Sequence, residues 1–242
     1  MKKTFLLMTA LSVGASIASA DLLVSDDFNY TGALTANGWS AFSGADASIT
    51  SDGNLASIGS GAEDIRLAFA DQTVNPVYAS FTLNISSLPT TGSEYSFGFT
   101  DNTSMESRFG ILASDAGTTF RLSAWAGSGA VIATNTVALS LNTDYLVAIY
   151  FNGVDDHRLW INPGSTDFAS PDIQATGANN GIDSFFIRQA GSLDNGASAW
   201  AMDDLTVATT FLEVVPEPAT LLLMGSGLIA LTASRRKIRR TA

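Results

Sequence analysis

Strict alternation of apolar and polar side chains constrains this chain more than any other feature. In residues 77–85 every second residue is apolar. Stretches with the same period of two also occur at 94–99, 107–113 and 118–126. Successive side chains of a β-strand point to opposite faces of the sheet, so each stretch predicts a strand with one face in a core. No window between 21 and 214 has a convincing apolar period of 3.6 residues, the period that indicates an amphipathic helix.

Turn-forming residues separate the predicted strands. Between residues 21 and 215 the chain has 18 aspartates and four glutamates, and aspartate suits turns while glutamate suits helices. The run 145–151 is apolar on both faces, which predicts a central strand, and Asn152-Gly153 predicts a turn to a partner strand at 157–161. Further strands are predicted at 22–29, 47–50, 54–58, 64–69, 136–139, 182–188 and 202–209. We therefore predict an all-β domain over 21–214, a two-sheet antiparallel jelly-roll sandwich.

Five motifs in the second half of this domain point to the same fold. They are Tyr145-Leu146-Val147-Ala148, Phe151-Asn152-Gly153, Arg158-Leu159-Trp160-Ile161-Asn162-Pro163, Ser184-Phe185-Phe186-Ile187-Arg188-Gln189 and Met202-Asp203-Asp204-Leu205-Thr206-Val207. In this order they resemble the central hairpin and closing strands of concanavalin A-like (laminin G-like) jelly rolls. The resemblance implies that the last strand lies near the first, here 23–29. It fixes no activity, because members of that family have diverse roles.

The first twenty residues have the layout of a secretory signal peptide. Lys2 and Lys3 form a positive start, an apolar run follows, and Ala18-Ser19-Ala20 is a small-x-small cleavage site. The alternative is a transmembrane anchor, for which the apolar run is too short. We therefore predict export through the Sec machinery and one signal cleavage site formed by Ala18 and Ala20. The mature chain would begin at Asp21.

The last segment, 215–242, has three parts. Pro216-Glu217-Pro218 is an extended break, since two prolines continue neither a helix nor a strand ladder. Residues 219–234 are uncharged and mostly apolar, which predicts a single transmembrane helix, short for the roughly 30 Å hydrocarbon core of a bilayer. Residues 235–240 hold five basic side chains, which stay on the cytoplasmic side and leave the domain outside.

This tail resembles the PEP-CTERM sorting signal: the proline-glutamate-proline tripeptide, an apolar span with glycines, and a basic end. The resemblance implies a Gram-negative bacterium that makes extracellular polysaccharide. It also implies an exosortase-type membrane peptidase as partner, an inner-membrane anchored precursor, and a product at the cell surface or in the extracellular matrix. An ordinary tail anchor is the alternative. The signal concerns sorting only, so the role of residues 21–214 has to be argued separately.

The charge of the domain excludes some partners. Residues 21–215 hold 22 acidic residues against five arginines and no lysine, a formal charge of −17. Such a domain has no basic footprint for a phosphate backbone, which argues against nucleic acid as a partner. The chain has no cysteine, so disulfides and thiolate chemistry are excluded. An acidic polysaccharide is expected to need a bridging cation or apolar stacking, since the composition offers little direct charge attraction.

Catalytic constellations are sparse, so we expect no enzyme. A glycoside hydrolase needs two carboxylates across a cleft, yet the four glutamates of the domain are isolated from one another in sequence. Serine hydrolysis needs a base, and the single histidine, His157, is expected to be a solvated turn residue. A polysaccharide-active enzyme, a glycoside hydrolase or lyase on a jelly-roll fold, is the alternative.

The sequence nevertheless suggests two kinds of binding site, one for glycan and one for calcium. Glycan binding calls for exposed aromatic rings with polar neighbours, and alternation places Trp125 with Arg121, and Trp160 with Arg158, opposite the core face. The alternative is that a loop covers these rings. Structural calcium is the second hypothesis, because calcium prefers loop oxygens and the resemblance brings the first and last strands together. Its ligands would be Asp26, Asp27, Asp203 and Asp204, which are otherwise solvated edge or turn residues.

Overall fold

A computed structural model describes residues 21–215 except 45–47, 60, 74, 89–92, 102–103, 115–116, 127–130, 178–180 and 190–198. The described residues form seventeen strands, one short α-helix and two short 3-10 helices, Leu34–Ala36 and Asp167–Ala169. The strands are β1 (Leu22–Asp26), β2 (Thr31–Ala33), β3 (Ser40–Ser43), β4 (Thr50–Asp52), β5 (Ala56–Ile58), β6 (Asp64–Gln72), β7 (Val77–Ser87), β8 (Ser93–Thr100), β9 (Met105–Ser114), β10 (Thr119–Ala126), β11 (Val131–Thr134), β12 (Leu139–Ser140), β13 (Asp144–Phe151), β14 (Asp156–Ile161), β15 (Ile173–Thr176), β16 (Ile182–Arg188) and β17 (Ala199–Ala208). The helix is α1 (Phe211–Val214).

The strands form two antiparallel sheets. The first sheet has the order β15-β14-β13-β7-β17-β5-β4-β2, with β1 added alongside β17. The second sheet has the order β11-β10-β9-β8-β16-β6-β3, with β12 added alongside β10. Strand β1 pairs with β17, as the jelly-roll resemblance implies. The two sheets are not closed into one barrel, and the predicted all-β jelly-roll sandwich is confirmed.

The main core lies between the sheets, and alternation predicts which side chains enter it. Val77, Ala79, Phe81, Leu83 and Ile85 of β7 are all fully buried there. Phe109 of β9 and Phe120 of β10 reach the same core from the second sheet. Burial of this apolar surface is the main term that stabilises the fold, at roughly 25 cal/mol per Å². The inward faces of these strands are therefore set by the sequence.

The sequence predicts the succession of strands along the chain better than it predicts where each strand begins and ends. Strand β16 has the predicted bounds, 182–188, and β13 and β14 form the predicted hairpin across Asn152-Gly153. The prediction of one strand at 136–139 is wrong, because β11 ends at Thr134 and β12 begins at Leu139. Short edge strands such as β2 and β15 carry too few residues for a visible alternation.

A second apolar cluster lies on the outer face of the first sheet. Its buried members are Tyr78, Ala148, Tyr150, Trp160, Ala208, Phe211, Val214 and Val215. Helix α1 supplies Phe211 and Val214, and the Ser80 hydroxyl donates a hydrogen bond to the Val214 carbonyl. The last described residues are thus packed against the sandwich.

The predicted targeting segments lie outside the described residues. These are the signal peptide 1–20 with Ala18 and Ala20, the motif Pro216-Glu217-Pro218, the apolar span 219–234 and the basic end 235–240. Within the described ranges, no helix has the length and apolar character needed to cross a membrane.

Candidate functional site

Four of the five arginines of the domain project from one face of the second sheet. Arg66 stands between the core residues Ile65 and Leu67, and Arg188 follows the core residue Ile187. Arg108 precedes the core residue Phe109, and Arg121 stands between Phe120 and Leu122. Since side chains alternate along a strand, all four arginines point away from the core. We call this surface, with Tyr95 and Trp125, the arginine–aromatic face.

Strand register places part of this face in one continuous row. Trp125 pairs with Arg108, Arg108 pairs with Gly98, Gly98 pairs with Phe186, and Phe186 pairs with Arg66. The row crosses five neighbouring strands, from β10 to β6. Adjacent strands lie about 4.8 Å apart, so the backbones at Arg108 and Arg66 are roughly 14 Å apart.

Tyr95 lies at the centre of the arginine–aromatic face. Its ring centroid is 4.1 Å from the Arg188 guanidinium carbon and 5.0 Å from that of Arg108. The ring also meets the indole of Trp125 edge-on, with centroids 6.2 Å apart. Cations over an aromatic ring are attracted by its negative face. Tyr95 therefore fixes the positions of two arginines at once.

The arginines on this face are only partly neutralised. Arg188 pairs with Asp64 at 3.6 Å, and burial raises the pKa of that carboxyl although Arg188 and a hydrogen bond from Ser43 oppose the rise. In the described part of the chain, Arg66 and Arg108 make no ion pair. The Arg66 guanidinium lies 5.7 Å from the Phe42 ring centroid. Both guanidiniums are half-buried, and that of Arg108 donates a hydrogen bond from Nε to the Met105 carbonyl at 2.8 Å.

Gly98 makes room for Phe186 in the row. Its φ is +152°, and a side-chain Cβ there would lie 1.9 Å from the Ser107 carbonyl oxygen and 3.0 Å from the Phe186 ring. Only a residue without Cβ fits between these two groups. Phe186 is fully buried although it points away from the main core.

The structure separates the four residues predicted for glycan binding. Trp125 and Arg121 belong to the arginine–aromatic face, where Trp125 is 6% exposed. The Arg121 guanidinium donates hydrogen bonds to the main-chain carbonyls of Asn135 and Thr136. Arg158 and Trp160 are on β14 of the first sheet. The two pairs therefore lie on opposite sides of the sandwich and cannot form one site.

Trp160 is not the exposed ring that alternation suggests. It does point away from the main core, but it is 1% exposed, because Phe168 stacks on it and Phe211 of α1 covers it. Its indole N–H donates to the Asp167 carbonyl at 2.9 Å. Arg158 pairs with Asp156 at 2.7 Å and lies over the Phe168 ring. Alternation alone does not reveal that a later helix covers an outward face.

The expectation for His157 is wrong. The side chain is 1% exposed and lies between the sheets, stacked on Phe151 with ring centroids 4.8 Å apart. Its Nδ1 is 2.9 Å from the Ser107 hydroxyl, and its Nε2 is 3.1 Å from the Gly177 carbonyl. Burial lowers the pKa of His157, although the bond to Gly177 and nearby carboxylates oppose this. His157 continues the inward alternation of β14, which its polar neighbours conceal.

A polar notch of about 270 Å³ forms where β1 meets β17. Asp26, Asp27 and Asp204 line it, and Asp204 has a positive φ of 52° at an irregularity in β17. Burial raises the pKa of Asp203, and the nearby charges of Asp204 and Asp27 raise it further. The resemblance thus correctly places the two acidic pairs near one another.

The Asp26 carboxylate is used in hydrogen bonds that hold the loop after β1. It accepts hydrogen bonds from the Phe28 amide, the Tyr30 hydroxyl and the Trp39 indole at 2.9, 2.7 and 2.7 Å. Burial and the bond to Asp26 raise the pKa of Tyr30. Over the described ranges, no three His, Cys, Asp or Glu side chains are grouped so that they could hold a metal ion. Calcium binding by the four predicted aspartates stays a prediction without a formed ligand set.

Comparison with known families decides the nature of the C-terminal tail. Residues 214–237 match the PEP-CTERM protein-sorting motif. The predicted resemblance is confirmed for this segment, and the motif indicates an exported precursor that passes the membrane of a Gram-negative bacterium. The match begins at Val214, within the cluster that packs α1 against the sandwich.

Solved structures share the fold of the domain. A structure from a study of endo-acting O-glycanases, with which human gut bacteria initiate mucin breakdown, is 9% identical, with a TM-score of 0.50 over 78% of this chain and 99% of the other. A structure of the conserved carbohydrate esterase of the Shiga toxin-encoding bacteriophage phi24B is 14% identical, with a TM-score of 0.50 over 79% and 99%. At these identities the likeness shows the fold alone. Comparison with curated proteins finds no match.

Sequence reasoning missed most of the arginine–aromatic face. The sequence pattern identifies Trp125 and Arg121 of this face, but it gives no reason to group Arg66, Arg108, Arg188 and Tyr95 with them. The available signal was the phase of alternation, because Arg66, Arg108 and Arg188 each adjoin a core residue. Phase shows that a side chain points outward, but only the strand order shows that these strands lie in one sheet.

Proposed function

We propose that this chain is an exported, non-catalytic protein of the cell surface or extracellular matrix, and that its sandwich binds polysaccharide. The sorting motif supports the destination, because it implies processing by an exosortase at the membrane. The arginine–aromatic face supports the binding role. The two contacts of Tyr95 with Arg108 and Arg188 form a polar surface that also offers carbon-rich area, the combination that sugar rings require.

The single observation that carries the proposal is the concentration of arginine on one sheet face. The domain has a formal charge of −17 and five arginines. Four of these arginines lie on the outer side of the second sheet. Arginine enriched on the outer side of one sheet does not serve the core, and only Arg188 is used in an ion pair among the described residues of this face. The arrangement therefore favours an external ligand.

Buried acids and a buried histidine support the non-catalytic part of the proposal. Glu63, Glu94 and Glu106 are at most 8% exposed, and Glu63 accepts a hydrogen bond from the Ile49 amide. His157 is enclosed between the sheets. A general acid or base must reach its substrate, and none of these four side chains lies open at the surface.

Binding to the producer's own extracellular polysaccharide tests the proposal. All the described strands and both apolar clusters lie within 21–215, so this segment keeps both sheets and their cores. It should be retained on the immobilised polysaccharide, and Tyr95→Ala should weaken retention. Phe168→Ala is the matched control, since it removes a 38% exposed ring that packs on Trp160 at the outer face of the opposite sheet. Absence of retention by the unaltered segment would contradict the proposal.

A polysaccharide lyase is the second candidate, because one observation favours it. Lyase chemistry on a uronate needs a base and positive charge near the carbanion that forms beside the carboxylate. The Tyr95 ring lies within about 5 Å of two guanidinium carbons. Incubation of residues 21–215 with a polyuronate would then generate an unsaturated product that absorbs ultraviolet light, and Tyr95→Phe would abolish it. No product above the buffer control is the result expected of a binding protein.

A further inference from the structure

We infer that the ligand of the arginine–aromatic face is an acidic polysaccharide, a chain that carries repeated carboxylate or sulfate groups. The inference rests on the proposed function, since it names the ligand class of the same face. It differs from the expectation drawn from composition, in which an anionic chain could be met only through a cation or by stacking. The reason for the difference is the placement of the arginines, which a total charge does not express.

Local charge outweighs total charge at this face. Charges separated by more than about 8 Å of salt solution are largely screened at physiological ionic strength. The acids of the notch between β1 and β17 belong to the other sheet, whereas Arg66 and Arg108 lie in the row itself. Asp64 is an acid of this face, but it is paired with Arg188. An anionic group that docks at Arg66 or Arg108 therefore meets a guanidinium that has no ion pair among the described residues.

Guanidinium chemistry suits this ligand class. Arginine presents several N–H donors in a planar fork that matches carboxylate and sulfate oxygens, and charge-assisted bonds are stronger than neutral ones. Arg188 already binds a carboxylate in this structure, that of Asp64. Tyr95 holds Arg188 and Arg108 against its ring, which lowers the entropy lost when they bind a ligand.

Burial of the large rings argues against a neutral sugar as the preferred ligand. Neutral sugars stack on open, flat aromatic surfaces, but Trp125 is 6% exposed and Phe186 is fully buried. The partly exposed groups on the face are the arginines and Tyr95. A contact made mainly through guanidiniums selects for negative charge.

The spacing of the row favours a polymer over a single sugar. Arg108 and Arg66 are separated by β8 and β16, which puts their backbones roughly 14 Å apart. Both arginines can be engaged by acidic groups on separate units of one chain. Two contacts on one chain strengthen binding beyond either contact alone.

Binding of residues 21–215 to four probes tests the inference: a polyuronate, a sulfated glycan, a neutral dextran and single-stranded DNA. We expect binding to at least one of the two acidic glycans, weakening as salt is raised, with neither dextran nor DNA bound. Arg108→Gln should weaken that binding about tenfold, the scale of one charge-assisted hydrogen bond. Arg158→Gln is the control, because it removes the same charge from the opposite sheet.

Four outcomes of this binding experiment would contradict the inference, its site or the proposed function. Equal binding to dextran and the acidic glycans, without dependence on salt, overturns the inference and leaves the proposed function standing. Equal binding to DNA also overturns it, because the face would then attract any polyanion. A loss with Arg158→Gln instead of Arg108→Gln assigns binding to the other sheet and overturns the site. Loss of retention on the producer's own polysaccharide as well as on all four probes removes the proposed function itself. Melting temperatures of both variants exclude unfolding as the cause.

Discussion

At the scale of single residues, the buried histidine couples stability to pH. Burial lowers the pKa of His157 below its ordinary value of 6.5. The unfolded chain then binds a proton at a pH where the folded chain does not, so the free energy of unfolding falls as the pH drops below about 6.5. The contribution of His157 is complete above that value and is lost toward the lower pKa of the folded state.

His157→Gln is therefore expected to flatten this part of the stability profile. Melting temperatures of residues 21–215 and of the variant should be compared between about pH 7 and about pH 5, the range in which a histidine titrates. Carboxylates titrate in both proteins, so the difference between the two curves isolates the histidine. Parallel curves through this range would show that His157 is protonated equally in the folded and unfolded states.

At the scale of elements, α1 fastens the end of the domain to the first sheet. Phe211 is 6% exposed and meets the rings of Tyr78 and Trp160. Ahead of the helix, the Thr209 amide donates to the Asp21 carbonyl at 3.1 Å, so the first and last parts of the sandwich are joined. The sorting motif, which begins at Val214, thus overlaps the last residue of a packed helix.

Phe211→Ala should destabilise residues 21–215 by about 3 kcal/mol, the usual cost of removing a buried aromatic ring. Leu212→Ala is the matched control within the same helix, because Leu212 is 57% exposed and its loss should change stability by less than about 0.5 kcal/mol. Urea unfolding of the two variants provides the measurement. Equal midpoints would mean that the cluster around Phe211 contributes little to the fold.

At the scale of the whole molecule, the sorting motif and the arginine–aromatic face occupy separate parts of the chain. The sorting motif occupies 214–237, whereas the arginine–aromatic face lies on β6, β8, β9, β10 and β16. Replacing Pro216, Glu217 and Pro218 with alanine should leave an uncut precursor in the membrane fraction. The sandwich itself should still fold, because its strands lie upstream of the motif.

Cell fractionation with an antibody against the sandwich checks this outcome. The unaltered chain should release a product of lower mass to the surface or matrix fraction, and the alanine variant should not. Lys237→Ala serves as a control within the tail that leaves the tripeptide intact. Normal release of the alanine variant would contradict a role for the tripeptide in processing.

The sequence by itself determined the class of fold, the inward face of regularly alternating strands such as β7, and the sorting tail. These features are local: alternation is visible in eight or so neighbouring residues, and the tail is one contiguous segment. Strand β7 shows this well, since its five inward side chains are all buried. Strand β8 is an exception, because a register shift between Tyr95 and Phe97 puts Tyr95 on the outer face, whereas alternation groups it with Phe97 and Phe99. His157 shows the limit, because its polar neighbours made a buried position look like a turn.

Only the tertiary structure decided which outward residues become neighbours. Arg66, Arg108 and Arg188 come from β6, β9 and β16, and their proximity depends on pairing between strands that are distant in sequence. The same non-local packing places α1 over Trp160. The helix therefore covers an indole ring that alternation predicts to be exposed. The period of two predicts which side chains of a strand share a face. The strand order and the covering segments determine which residues surround that face. The physical cause is that neighbours across a sheet are chosen by the whole fold rather than by any one strand.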